Sequence, residues 1–121
     1  MATDNVRGQL DLMLLRILDD GPGHGYSVIG ALRRRSGETF DLPEGTVYPA
    51  LHRLEEAGLL ASDWEAVDGR RRRIYRLTSP GVVALADARS RWAHFVSAVE
   101  AVLAPLTQRP LTQGAVAEGM A

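Results

Sequence analysis

PEGTVYPALHRLEEAGLL, residues 43–60, is followed ten residues later by RRRRIYRLT, residues 70–78. In the first stretch Val47, Leu51 and Leu54 fall on one face of a short helix, and Gly58 stops it. Pro49 has no amide donor, but the first turn of a helix has no use for one, so regular helical bonding is expected from about Gly45 or Thr46. Leu59–Glu65 and Arg72–Thr78 read as two strands joined through a turn at Asp68-Gly69, and the second is entered through four consecutive arginines. A helix followed by a basic β-hairpin is the outline of a winged helix. In that arrangement one helix end and one cationic wing meet the same nucleic-acid duplex.

Outward from this stretch the chain stays helical. Gln9 to Asp20 places Leu10, Met13, Leu14, Ile17 and Leu18 on a core face, with Leu12 and Leu15 directed away from it. That second apolar side is expected to need cover from another subunit. Gly21-Pro22-Gly23 breaks the chain. A second helix is expected over about 24–36, with Tyr26, Ile29 and Leu32 at helical spacing and Arg33-Arg34-Arg35 and Gly37 at its end. After Thr78-Ser79-Pro80 a long helix is expected to reach about Ala104, where Pro105 and Pro110 end it. Along it Val82, Leu85, Arg89, Trp92, Val96, Val99 and Leu103 recur at alternating steps of three and four. The fold class is therefore mainly α with a small β-hairpin. A winged helix-turn-helix over residues 1–78 precedes a C-terminal dimerisation helix over 79–105 and a tail, 106–121, expected to be disordered.

Composition narrows the function. With 121 residues, 45% of them apolar and 24% charged, the chain is the size and composition of one small folded domain. No apolar run approaches the roughly 18–20 residues of a membrane span, and the N-terminus lacks a signal-peptide layout, so a cytoplasmic location is expected. There is no cysteine. The net charge is −1, and all 14 cations are arginine. Eight of them fall within 33–35 and 70–76, which concentrates positive charge into two sites on a mildly acidic body. His24, His52 and His94 lie on three different elements without carboxylates at ligand spacing, so no metal is expected. The sequence has no recognisable nucleophile–base pair or paired catalytic carboxylates. GPGHG lacks the lysine and hydroxyl of a phosphate-binding loop. Neither an enzyme nor a cofactor is expected.

Three motifs in order, GPGHGY at 21–26, GTVYPALHRLEEAGLL at 45–60 and RRRIYRLT at 71–78, make the chain resemble the PadR family of transcriptional regulators in its short form with a single C-terminal helix. The resemblance covers about Gln9 to Leu103. It implies a homodimeric winged-helix repressor that binds a palindromic operator in double-stranded DNA and releases it on binding a small molecule. One departure stands out. The family often begins its recognition helix with Ser or Thr, whereas Pro43 and Glu44 stand here, so a cap must come from Asp41, Thr46 or water.

On this reading the third helix enters the major groove. Thr46, Tyr48, Pro49, His52 and Arg53 lie away from its apolar face, with Arg53 or His52 suited to a guanine edge. The alternative for Arg53 is an ion pair with Glu56 or Glu44; Glu55 and Glu56 are expected in solvent. Of Arg70, Arg71, Arg72 and Arg73, two or three are expected to reach phosphate or the minor groove and the rest to stay solvated, with Arg76 supporting the hairpin from behind. The resemblance places Tyr26 near the DNA backbone, although its spacing fits a core residue equally. His24 is expected to end the loop or cap the second helix. The expected dimer seam is Val82, Leu85, Trp92, Val96, Val99 and Leu103. Within it the wide indole of Trp92 would hold two helices apart and leave an effector slot lined by Leu12, Leu15, Arg89, Trp92 and Val96. Planar aromatic or lipophilic molecules fit such a slot, and drug-responsive members of the family resemble this. Simple packing of Trp92 is the other reading, and Trp64 either faces that region or packs under the wing. Rival functions are a winged-helix protein–protein module or a small-molecule-binding protein without direct DNA regulation. Four adjacent arginines on the wing favour DNA.

Overall fold

The computed structural model describes residues 2–108, with side chains from 8 to 104. The order is α1 (Ala2–Asp19), β1 (Gly23–His24), α2 (Gly25–Arg35), α3 (Glu44–Glu56), β2 (Leu60–Val67), β3 (Arg70–Leu77) and α4 (Ser79–Gln108). The three strands form one antiparallel sheet in the order β1-β3-β2. This is a winged helix-turn-helix followed by a long helix, as the sequence predicts, with one addition. Gly23, expected within the chain break, and His24, expected at the start of the second helix, pair with Tyr75 and Ile74 and cover the free edge of β3. A two-residue strand is too short for alternation to reveal it.

Local chemistry sets the boundaries. Both α2 and α3 end in glycine at positive φ, Gly37 at 61° and Gly58 at 82°. In each case the two amides that follow the cap reach back to the last carbonyls, as when Leu59 N donates to Leu54 O and Gly58 N to Glu55 O. The wing turns at Asp68 and Gly69, both at positive φ, which suits the twist of a two-residue hairpin. Thr78 ties the wing's base to α4. Its hydroxyl donates to Gly58 O at 2.7 Å and accepts from Gly81 N at 3.1 Å. At Gly81 a Cβ would lie 2.1 Å from the Leu59 carbonyl oxygen, so the helix start seats directly on backbone.

The core joins Leu10, Leu14, Leu15 and Leu18 of α1 to Val28 and Leu32 of α2 and to Val47, Ala50, Leu51 and Leu54 of α3, closed by Leu60 and Tyr75 of the sheet. Two expectations are corrected here. Leu15 does not point away. It is 2% exposed, because α1 runs between α2, α3 and β3, so both of its apolar sides are covered by its own domain; Leu12 also packs on this core. Leu85 is likewise 5% exposed within the same core and is not free for a dimer seam. Tyr26, by contrast, is exposed, and Val28, Ala31 and Leu32 form the buried stripe of α2.

The described residues divide into two units, one up to Ala88 and the other from Arg89 onward. The first turns of α4 thus belong with the winged unit, since Gly81 and Leu85 are packed into it, and the boundary falls ten residues after the expected one. In the second unit α4 carries through Pro105 to Gln108. A proline already holds a helical φ, so it weakens a helix without having to end it where it stands. The expected disorder of the tail concerns residues that, beyond Gln108, lie outside those described.

Candidate nucleic-acid interface

His24 and Gly25 bring the start of α2 against α3. The Nδ1 of His24 accepts from Ser27 N, which makes it the cap of α2, and Ser27 Oγ donates back to the His24 carbonyl at 2.7 Å. Burial, and then the positive charge of Arg72, holds the His24 pKa below its ordinary value, which keeps the ring neutral and able to accept. At Gly25 a Cβ would lie 1.9 Å from the ring of Tyr48. Only glycine leaves room for that ring at the start of α2, and the contact holds α3 close against α2.

α3 starts without a side-chain cap. Pro43 occupies the N-cap position, and the amides of Thr46 and Val47 both turn back to the Pro43 carbonyl. Neither Asp41 nor Thr46 supplies the expected cap. Glu44 instead adds negative charge to the first turn. Its carboxylate lies close to the Tyr26 hydroxyl and raises that phenol's pKa. Glu44 thus faces Tyr26 rather than Arg53. Arg53 pairs with Asp11 of α1, a partner 42 residues away that helical spacing could not suggest. Pro49, His52 and Arg53 are exposed, Tyr48 and Thr46 half-buried, and Val47, Leu51 and Leu54 buried, as their spacing predicts.

Strand alternation divides the four wing arginines. The register Trp64↔Arg73 and Ala66↔Arg71 puts Arg71 and Arg73 on the face that carries Trp64. Their guanidiniums lie 5.2 and 5.4 Å from the indole ring, so Trp64 is held by cations on the wing rather than packed beneath it. Arg73 also donates to Ser62 Oγ at 2.8 Å and faces Glu55 at 3.5 Å. Ser62 in turn donates to Glu55 at 2.6 Å. Glu55, expected in solvent, instead ties α3 to both wing strands, because it lies in the last turn of α3, just before the chain enters β2. Arg72 lies over the Tyr26 ring at 5.8 Å, with its Nε buried and without a hydrogen-bond partner. Arg70 is exposed, and Arg76 pairs with Asp63 across the hairpin at 2.6 Å, bracing it as predicted.

These pieces enclose a cleft of about 280 Å³ between the start of α2, α3 and the wing. Its walls are largely aromatic: Tyr26, Tyr48, Tyr75, His52 and Trp64. Its lining cations are Arg71, Arg72 and Arg73, with Glu55 paired to Arg73 and Glu44 close to Tyr26. Burial raises the pKa of both Tyr48 and Tyr75, so they present neutral hydroxyls. The structure thus gathers Tyr26, Tyr48, His52 and Arg71–Arg73 around one concavity. Arg53 and Arg70 are not among the residues that line it. Sequence reasoning missed Gly25, Glu55, Ser62 and Tyr75; only Trp64 was readable there, as the residue opposite Arg73 once the hairpin turn is fixed.

The expected seam residues are distributed differently. Val82 is exposed on the winged unit, and Leu85 is spent in its core. On the second unit Trp92, Phe95, Val99, Val102 and Leu103 are exposed, Arg89 is exposed and Val96 half-buried. Trp92 stacks on Phe95 with ring centroids 5.9 Å apart. No group of three potential metal ligands gathers among the described residues, and no helix among them is long and apolar enough to cross a membrane.

A three-stranded sheet that ends in a basic hairpin beside a surface helix defines a winged-helix protein. The sequence profile of the transcriptional regulator PadR-like family matches residues 14–87, and the chain belongs to that family. It is 41% identical over 83 residues to the transcriptional regulator Rv3488 of Mycobacterium tuberculosis, covering 69% of this chain and 75% of that one. Among solved structures, a transcriptional regulator from Clostridium thermocellum is similar with a TM-score of 0.75 and 28% identity, over 80% of this chain and 95% of that one. A PadR family regulator from Eggerthella lenta gives 0.73 and 30%, over 83% and 86%. This protein is a transcriptional regulator.

Proposed function

We propose that the protein is a homodimeric repressor that binds an inverted-repeat operator in double-stranded DNA, with α3 in the major groove and the wing on the flanking backbone. The observation that carries this reading is the run Arg70 to Arg73 on β3, beside the exposed Pro49, His52 and Arg53 of α3. A surface for protein partners has little use for so dense a block of cation. The exposed apolar face of α4, from Trp92 to Leu103, supports dimerisation through that helix. The stacked Trp92 and Phe95 support a planar lipophilic effector acting there. The role is one of binding rather than catalysis, it needs no cofactor, and it is exercised in the cytoplasm.

The test is a mobility-shift titration against the DNA upstream of the protein's own gene. Affinity should fall on the order of 10³-fold between about 50 and 200 mM salt, as expected for several arginine–phosphate contacts per subunit. Replacing Arg71, Arg72 and Arg73 together by alanine should weaken binding to every duplex, whereas Arg53→Ala should relax the preference for the operator. Absence of binding at low salt would refute the proposal.

A further inference from the structure

Trp64 is 54% exposed on the wing and lies outside the hydrophobic core. Burial therefore does not account for so large a side chain at this position. Its neighbours do. Arg73 stands directly across the hairpin from it, and Arg71 lies diagonally, two residues away on the same face of β3. Both guanidiniums lie over its ring, 5.4 and 5.2 Å from the centroid. Two like charges so placed repel each other, and the negative face of an indole gives them a common seat.

That seat differs in kind from an ion pair. The carboxylate of Asp63 offsets the charge of Arg76 and takes up one of its donors. A guanidinium over a ring keeps its full charge, and its five donors, which lie in its own plane, stay open to phosphate oxygens. Arg71 pairs with no carboxylate among the described residues. Ordering a long side chain costs affinity when it happens on binding, and an arginine already seated on folding is spared that cost. We propose that Trp64 is a positioning residue for DNA binding: it touches no DNA, and holds Arg71 and Arg73 in place on one face of the wing with their charge and donors free for the phosphate backbone. This rests on the DNA reading given above and adds to it a residue that acts through others.

The experiment is a set of mobility-shift titrations of the full chain at about 50 mM salt, on the upstream DNA and on an unrelated duplex. Trp64→Leu should weaken binding to both at least about fivefold, the cost of ordering two long side chains anew, and leave the preference between them unchanged. Trp64→Phe keeps a ring face and should recover most of the loss. With Arg71 and Arg73 both replaced by alanine, Trp64→Leu should add nothing further, because its effect passes through those two side chains. Urea midpoints of both Trp64 variants should stay close to that of the unaltered chain, since the indole adds nothing to the core. An undiminished effect of Trp64→Leu in the double-alanine background would mean that the indole itself touches DNA, and would overturn the proposal. Unchanged binding by Trp64→Leu, a loss that Trp64→Phe shares in full, or a fall in urea midpoint that parallels the loss of binding would overturn it too. If the unaltered chain binds no duplex, the DNA reading and this role fall together. If it binds and only the Trp64 variants disagree, the DNA reading stands and this role alone is lost.

Discussion

His24 shows how much one side chain carries. It caps α2 through Nδ1, pairs with β3 through its backbone, and has its pKa lowered by burial and then by the charge of Arg72. An imidazole whose folded pKa lies below its ordinary 6.5 binds fewer protons than the unfolded chain does in the window between the two values. Its contribution is therefore complete above about 6.5 and is lost as the pH falls through the folded value. Urea unfolding should accordingly show declining stability below that pH. His24→Asn, which caps without titrating, should flatten this part of the profile. Its neighbour Gly25 is constrained by space rather than charge. Gly25→Ala places a methyl group inside the Tyr48 ring, so it should cost about 1–3 kcal/mol in thermal or denaturant unfolding. Neither constraint was legible in the sequence beyond the expectation of a cap, because the Tyr48 ring arrives from 23 residues away.

Among the elements, α3 and the wing behave as one piece because Glu55 holds Ser62 and Arg73. Removing that carboxylate with Glu55→Ala should cost about 1 kcal/mol of stability, a discounted value for a half-buried charged hydrogen bond. It should also leave Arg73 with no ion pair to give up, so DNA affinity at fixed salt should rise, with the salt slope unchanged, in the same titration that tests the operator. The elements themselves were largely readable. Helical spacing placed Val47, Leu51 and Leu54 in the core, glycines placed the ends of α2 and α3, and Asp68-Gly69 placed the wing turn. What sequence pattern could not supply was anything set by packing between elements. Leu15 and Leu85 were assigned to a partner because periodicity reports which side of a helix is apolar, not what covers it. Glu55 was assigned to solvent because its partners lie on the next element.

At the scale of the whole molecule, the boundary after Ala88 changes the experiment that isolates the dimer helix. Cutting the chain after Pro80 would remove Leu85 from the core and cost about 2–5 kcal/mol, which confuses loss of association with loss of folding. A chain ending at Ala88 keeps that core and should sediment as a folded monomer, while the full chain sediments as a dimer. A dimeric 1–88 fragment would place the interface on the winged unit instead.

The ion pairs seen on Arg16, Arg35, Arg53, Arg73 and Arg76 have a kinetic consequence. With a net charge of −1, the molecule exerts little attraction on a distant polyanion, so first encounter should proceed at an unsteered rate, roughly 10⁵–10⁷ M⁻¹s⁻¹. Once in contact, Arg53 and Arg73 must exchange Asp11 and Glu55 for groups on the duplex. A duplex that offers them nothing better lets the old pairs re-form and is quickly released. Selectivity would then reside in how long the protein stays on a sequence, not in how often it arrives.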